Sequence, residues 1–99
     1  MRDYEVMYII NPEADDEKRN AIIEKYKQIV VDNGGEVVKV EDWGKRRLAY
    51  EVKKNREGYY VLMNFKSSAQ TSQELERLIK IDEEILKHLV VKLEDQKVS

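Results

Sequence analysis

The chain has 99 residues, of which 41% are hydrophobic and 38% are charged, and its formal net charge is −2. This length suits one domain with a modest core, and no run approaches the ~20 apolar residues that a membrane span needs. Cysteine is absent, which excludes disulfides and thiolate metal sites, and the charged opening Met1-Arg2-Asp3-Tyr4-Glu5 is unlike a secretory signal, so a cytoplasmic protein is expected.

The first half of the chain predicts a strand, a helix and a long second strand. Side chains alternate from Asp3 to Ile10, as in a strand. A helix is expected from about Asp15 to Asn33, where acidic residues begin it, apolar residues recur every three or four positions, and Gly34-Gly35 ends it. The extended stretch from Glu36 to Val52 contains Trp43-Gly44 at its middle, where a bulge or bend is expected.

The second half predicts a hairpin, a helix and a last strand. Lys53 to Gly58 is polar and turn-like, and Tyr59 to Lys66 is the expected returning strand. The second helix is capped by either Ser68 or Thr71, and Ile85 to Leu93 forms the last strand.

The predicted order β-α-β-β-α-β indicates an α+β protein with a ferredoxin-like fold. It consists of a four-stranded antiparallel sheet with one parallel pair, the first strand beside the third, and two helices packed on one face. Residues 1–93 form this single domain, and the polar residues 94–99 are a frayed tail.

Catalysis is not expected from these residues. The single histidine, His88, lies in the last strand, and one histidine without cysteine cannot form a zinc site of the usual kind. Gly34-Gly35 follows a helix, whereas a phosphate-binding loop precedes one. Acidic clusters stand at the ends of elements, where capping and solubility explain them. We therefore expect no enzyme activity, cofactor, metal or small-molecule substrate.

Positive charge is concentrated in residues 44–56, called here the basic segment. It holds six basic residues and one acid, so its net charge is +5 and that of the remaining chain is −7. A local strip of cations on an acidic body can bind a phosphate backbone, although a solvated hairpin is an open alternative. The predicted RNA-binding residues are Lys45, Arg46, Arg47, Tyr50, Lys53, Lys54 and Arg56, with Arg2 and Lys92 added at strand ends.

A second surface is predicted on the sheet face opposite the helices. Strand alternation directs several apolar residues to that face, although a half-solvated antiparallel sheet is usually polar there. Such a patch indicates a protein partner or stacked bases, and scattered surface hydrophobes are the alternative. The predicted partner residues are Met7, Ile9, Tyr60, Leu62, Leu89 and Val91.

The chain resembles the family of bacterial small-subunit ribosomal protein six, from about Met1 to Leu93. The most specific match is the run Gly44-Lys45-Arg46-Arg47-Leu48-Ala49-Tyr50-Glu51-Val52-Lys53, in which Val52 replaces the usual isoleucine. Further matches are the opening five residues, Asn11-Pro12, Gly58-Tyr59-Tyr60 and Val90-Val91-Lys92. The resemblance implies a ferredoxin-like structural protein that binds 16S ribosomal RNA in the small subunit and forms a heterodimer with ribosomal protein eighteen.

Two alternatives share this size and strand order. An RNA-recognition-motif-like module would bind single-stranded RNA outside the ribosome, but Glu57 stands where its motif expects a cation. An acylphosphatase-like enzyme would need a glycine-rich anion loop after the first strand, whereas residues 11–16 are acidic.

Since the chain is acidic overall, we expect weak RNA binding alone and tight binding beside a basic partner that covers the apolar face or an adjoining sheet edge.

Overall fold

The computed structural model describes residues 1–93, which form four strands and two helices in the predicted order. The elements are β1 (Arg2–Ile10), α1 (Asp16–Asp32), β2 (Glu36–Val52), β3 (Asn55–Ser67), α2 (Ala69–Lys80) and β4 (Ile85–Lys92). The predicted frayed tail, residues 94–99, lies outside the described residues.

The four strands form one sheet in the order β2-β3-β1-β4. The first strand lies beside the third, as predicted, with Tyr4 opposite Phe65. The predicted parallel pair is wrong, because every neighbouring pair is antiparallel. Each β-α-β connection passes over one strand, so β1 and β2 run the same way but are separated by β3, and β1 likewise separates β3 from β4. The result is the ferredoxin-like fold.

Both helices begin at side-chain caps. Asp15 Oδ1 accepts a hydrogen bond from the Lys18 backbone N–H at 2.8 Å, so the predicted start of α1 is confirmed to within one residue. For α2 the cap is Ser68, whose Oγ accepts from the Thr71 N–H at 3.2 Å. Thr71 instead lies inside the helix, where its hydroxyl donates to the Asn33 carbonyl at 3.3 Å. Neither helix in residues 1–93 has the length and apolar content to cross a membrane.

The main core lies between the two helices and one face of the sheet. From β1 it receives Tyr4, Val6, Tyr8 and Ile10, the alternate positions that the sequence predicts. The Tyr8 and Tyr26 rings meet edge to face with centroids 5.5 Å apart, which joins β1 to α1. Completely buried apolar side chains of this core, such as Met63 and Leu75, each contribute on the order of 1.5–3 kcal/mol.

The ends of β2 and β3 extend beyond the sheet as an arm, residues 45–58. The predicted bulge at Trp43-Gly44 is confirmed, since the register slips between Asp42 and Gly44, whose φ is 81°. The predicted turn over residues 53–58 is too long. Lys53 and Lys54 alone make it, with φ of 49° and 67°, and β3 begins at Asn55. A two-residue turn with both φ positive usually carries Asn-Gly, so Lys-Lys gives no signal of it.

Candidate nucleic-acid interface

The arm folds back over the open face of the sheet. Leu48, only 8% exposed, packs there on Ile9 and Leu86 in a small second core. Gly58 makes this approach possible, because a Cβ at that position would collide with Ile9 Cγ2 and stand 3.1 Å from the Ile10 carbonyl oxygen. The basic segment is therefore seated on the sheet by apolar contacts, and its charged side chains are left outside.

Two polar contacts join the arm to β4, the strand on the far side of β1. Lys53 Nζ donates a hydrogen bond to the Ile85 carbonyl at 3.2 Å. Lys87 Nζ donates to the Tyr50 hydroxyl at 2.5 Å and lies 4.7 Å from the centre of the Tyr50 ring. These contacts fix the end of the arm near the start of β4.

The six cations of the basic segment are all exposed, and they have no acidic partner in the described part of the chain. Within residues 1–93, none of them lies within 4.0 Å of a carboxylate oxygen. By contrast, Arg77 on α2 pairs with Glu74 at 2.7 Å, and Lys39 on β2 pairs with Glu41 at 2.6 Å. The cations in question are Lys45, Arg46, Arg47, Lys53, Lys54 and Arg56. Their charge is consequently available to an external anion such as phosphate.

Aromatic rings position two of these cations at the base of the arm. Lys45 Nζ lies 5.5 Å from the Tyr59 ring centre, and Arg19 of α1 lies 4.0 Å from the same ring. Arg46 lies 5.4 Å from the ring centre of Trp43. Cation–π contacts of this kind orient a charge without neutralising it.

Arg2 and Lys92, also predicted to bind RNA, lie at the opposite end of the sheet. Arg2 is paired with Ser67 and Lys92 with Tyr4, whereas the arm leaves the sheet beside Ile10. Eight residue steps along β1 at ~3.3 Å separate the two ends by roughly 26 Å. The structure therefore brings together the seven predicted residues of the arm and leaves these two apart.

The open face is apolar in part. Met7 lies between Leu62 and Leu89, and Leu89 and Val91 are 55% and 38% exposed. We call these four residues the apolar patch. Tyr60 is half-buried beside the arm.

The expectation that Ile9 belongs to an exposed surface is wrong, because Leu48 and Leu86 cover it and leave it 2% exposed. Strand alternation gives the face of Ile9 correctly but cannot show that the chain returns over it.

Other polar groups form no catalytic or metal cluster in the described part of the chain. His88 is half-buried opposite Tyr8, with its Nε2 3.5 Å from Glu76 Oε2. No group of three or more His, Cys, Asp or Glu side chains within residues 1–93 is placed to hold a metal ion.

Sequence reasoning assigned Trp43 only to a bulge, although it is 43% exposed and lies beside the cations. The sequence signal that could have identified Trp43 as a site residue was its position two residues before Lys45, at the start of the basic segment.

Comparisons with known proteins agree on one family. The profile of the family described as ribosomal protein S6 matches residues 3–92. The small ribosomal subunit protein bS6 of Carboxydothermus hydrogenoformans is 55% identical over 93% of this chain and 96% of its own length. That of Moorella thermoacetica is 47% identical over 97% and 98%. The crystal structure of 30S ribosomal protein S6 from Thermotoga maritima superimposes with a TM-score of 0.88 at 36% identity, covering 93% of this chain and 87% of that one.

Proposed function

The chain belongs to the ribosomal protein S6 family, and from that premise we propose that it binds 16S ribosomal RNA together with ribosomal protein eighteen. Its family makes it a structural protein of the small ribosomal subunit and not an enzyme. We place it accordingly in the ribosome, in the cytoplasm.

The observation that carries the RNA proposal is the set of six exposed cations on the arm, none of which is paired with a carboxylate of residues 1–93. Outside the basic segment the chain has a net charge of −7, so its long-range field repels RNA and the basic segment attracts it. Arg46, Arg47 and Arg56 present planar donor groups that suit phosphate oxygens. The turn lysines Lys53 and Lys54 extend this charge to the end of the hairpin.

The apolar patch supports a protein partner beside the RNA. Leu89 and Val91 are exposed on β4, an edge strand, and Met7 continues the patch onto β1. A basic partner would cover this patch and also complement the acidic body of the chain. The patch adjoins Lys87, which holds Tyr50 of the arm, so a protein on the patch would lie next to the RNA-binding cations.

This arrangement favours cooperative binding. A few phosphate contacts alone support only non-specific affinity, with dissociation constants on the order of 10⁻⁴ to 10⁻⁶ M at physiological salt. A basic partner adds its own phosphate contacts and holds both proteins on one RNA, so the pair binds more tightly than either protein alone.

Filter binding of a small-subunit RNA fragment tests the proposal, with each protein alone and with both mixed. We expect weak binding by the single proteins and tight binding by the mixture. Met7→Lys and Leu62→Lys should abolish the gain, whereas Ile81→Lys, which alters a side chain 63% exposed after α2, is the matched control. Equal affinity with and without the partner would refute cooperativity and favour a free-standing single-strand binder. Retained heterodimer formation in the first two variants would show that the partner binds elsewhere.

A further inference from the structure

Trp43, the only tryptophan of the chain, is held in a fixed orientation at the bulge of β2. Its Nε1 donates a hydrogen bond to Glu41 Oε1 at 2.7 Å, and Lys39 Nζ lies 2.6 Å from Glu41 Oε2. These hydrogen bonds, from Lys39 first and then from Trp43, lower the pKa of Glu41 and keep it ionised. The one polar group of the indole is therefore satisfied within the strand, while 43% of the residue remains exposed.

Arg46 stands beside this ring. Its guanidinium carbon lies 5.4 Å from the Trp43 ring centre, and its Nε lies 3.4 Å from the Trp43 carbonyl oxygen. Within the described residues it has no carboxylate partner, so it is free to bind a phosphate. A partly exposed aromatic ring and a cation able to bind phosphate therefore lie next to each other at the bulge.

We propose that Trp43 is a stacking platform for an unpaired RNA base, with Arg46 binding the adjoining phosphate. This inference rests on the proposed RNA-binding function and assigns one subsite within it. Proteins recognise unpaired bases by stacking them on aromatic side chains, and the interaction needs no specific hydrogen bond from the ring.

Two nearby tyrosines, Tyr50 and Tyr59, are less suited to this task. The Tyr50 hydroxyl accepts a hydrogen bond from Lys87, whose ammonium group also lies against the ring. Tyr59 has Arg19 at 4.0 Å and Lys45 at 5.5 Å from its ring centre, and it is only half-exposed. Tyr50 is 61% exposed, but its hydroxyl and ring are both engaged by Lys87 of β4. The polar group of Trp43 is satisfied within its own strand, and its indole offers a larger ring for stacking.

The surroundings of Trp43 favour a nucleotide over an apolar protein surface. Glu41 and Arg46 contact the ring, and Glu41 also forms an ion pair with Lys39 that a protein contact would have to desolvate. A stacked base covers only the face of the indole and leaves that ion pair in water.

Substitution of Trp43 tests the platform in filter binding of the full chain with ribosomal protein eighteen on the RNA fragment. Trp43→Leu should weaken binding roughly 5- to 100-fold, because stacking on an aromatic side chain is lost. Trp43→Tyr should restore most of the affinity. Val38→Ala is the matched control, since it alters another exposed apolar residue of β2 that has no aromatic ring. The salt dependence should not change in any of the three variants, because none removes a cation.

Tryptophan fluorescence supplies a second readout. Complexes of wild-type chain and of Trp43→Tyr are compared, and their difference isolates Trp43 from any fluorescence of the partner. We expect strong quenching of Trp43 when RNA is added. Salt-dependent binding with no quenching, and with wild-type affinity in Trp43→Leu, would overturn the platform and leave the proposed function standing. Absence of salt-dependent binding by the wild-type pair would overturn the proposed function itself.

Discussion

The helix-covered core and the arm are built in opposite ways. In the core, Val6, Tyr26 and Leu75 are fully buried between two layers. The arm is held by one buried side chain, Leu48, by the close approach of Gly58, and by a few polar contacts to β4. Val52 packs partly buried against the same small core, and most of the remaining side chains of the arm are exposed. The difference implies that most of the stability comes from the core and that RNA capture depends on the arm. Core substitutions should therefore leave the RNA contacts unchanged, whereas substitutions in the arm should alter RNA binding and change stability less.

The largest expected effect is in the core. Leu75→Ala removes a completely buried side chain of α2 and should lower the free energy of unfolding by about 2–5 kcal/mol. Urea denaturation measures this loss. Below the unfolding transition, the RNA-binding salt dependence of the variant should equal that of the wild type. A loss under ~1 kcal/mol, or an altered salt dependence, would break the separation between core and arm.

The next largest effect is expected at Gly58, where the arm contacts the sheet. Gly58→Ala forces a methyl group against Ile9 and should cost about 1–3 kcal/mol, while lifting the arm from the sheet and weakening RNA binding. Thermal unfolding and filter binding check the two effects. Ala49→Ser, an exposed change on the same arm, should stay within ~0.5 kcal/mol of the wild type. If the Gly58→Ala variant were as stable as the wild type, that result would contradict the close packing of Gly58 on Ile9.

A smaller, pH-dependent effect is expected where the turn before β4 meets α1. Burial acts to raise the pKa of Asp82, but hydrogen bonds from the Tyr26 hydroxyl and the Glu84 N–H, with Lys25 3.4 Å away, outweigh it and lower that pKa. Stability from a lowered pKa is fully present above the ordinary value of about 3.9 and is lost as the pH falls through the lowered pKa.

Tyr26→Phe should therefore destabilise the protein by about 1–2 kcal/mol at pH 7, because a partly buried carboxylate loses a donor. The difference from the wild type should shrink in acid, below about pH 4. Urea denaturation at several pH values measures it. A difference that stays constant into strong acid would show that the tyrosine hydroxyl does not act through the charge of Asp82.

The smallest effect is expected at Lys54, in the turn at the end of the arm. Lys54 has a φ of 67°, a backbone conformation that glycine adopts without strain. Lys54→Gly should stabilise the chain by about 0.5–1 kcal/mol and reduce the log–log salt slope of RNA binding by roughly 0.7–0.9. Lys54→Arg keeps the charge and should leave the slope unchanged. Stabilisation with no change in slope would remove Lys54 from the RNA-binding set.

The fold was largely predictable because local signals agree with it. Asp15 and Ser68 cap their helices, and Tyr4, Val6 and Tyr8 alternate along β1 as the core requires. The parallel pair was an error of direction: the first strand does lie beside the third, but the two are antiparallel, because each β-α-β connection skips one strand. The start of β3 at Asn55 was missed because two lysines occupy a turn that usually holds glycine or asparagine.

The candidate site was predictable in composition but not in arrangement. Charge density identified the cations of the arm. Arg2 and Lys92 were added to them as cations at strand ends, but they lie at the far end of the sheet. Alternation placed Ile9 on the open face, but only the fold shows that Leu48 returns to cover it. Trp43 was not predicted as a site residue. The expected bulge accounted for Trp43 and its glycine neighbour, and the sequence does not show that the tryptophan side chain is exposed.

The central claim is that the arm binds RNA through its cations, and the salt dependence of binding tests it most directly. The measurement is the log–log slope of affinity against salt for the chain with ribosomal protein eighteen on a small-subunit RNA fragment. Replacing both Arg46 and Arg47 with alanine should reduce the slope by roughly 1.4–1.8, since two phosphate contacts are lost. Replacing Arg77 and Lys80, two exposed cations of α2, should leave it unchanged. An unchanged slope in the folded Arg46→Ala, Arg47→Ala variant would contradict the account and make the arm a solvated hairpin.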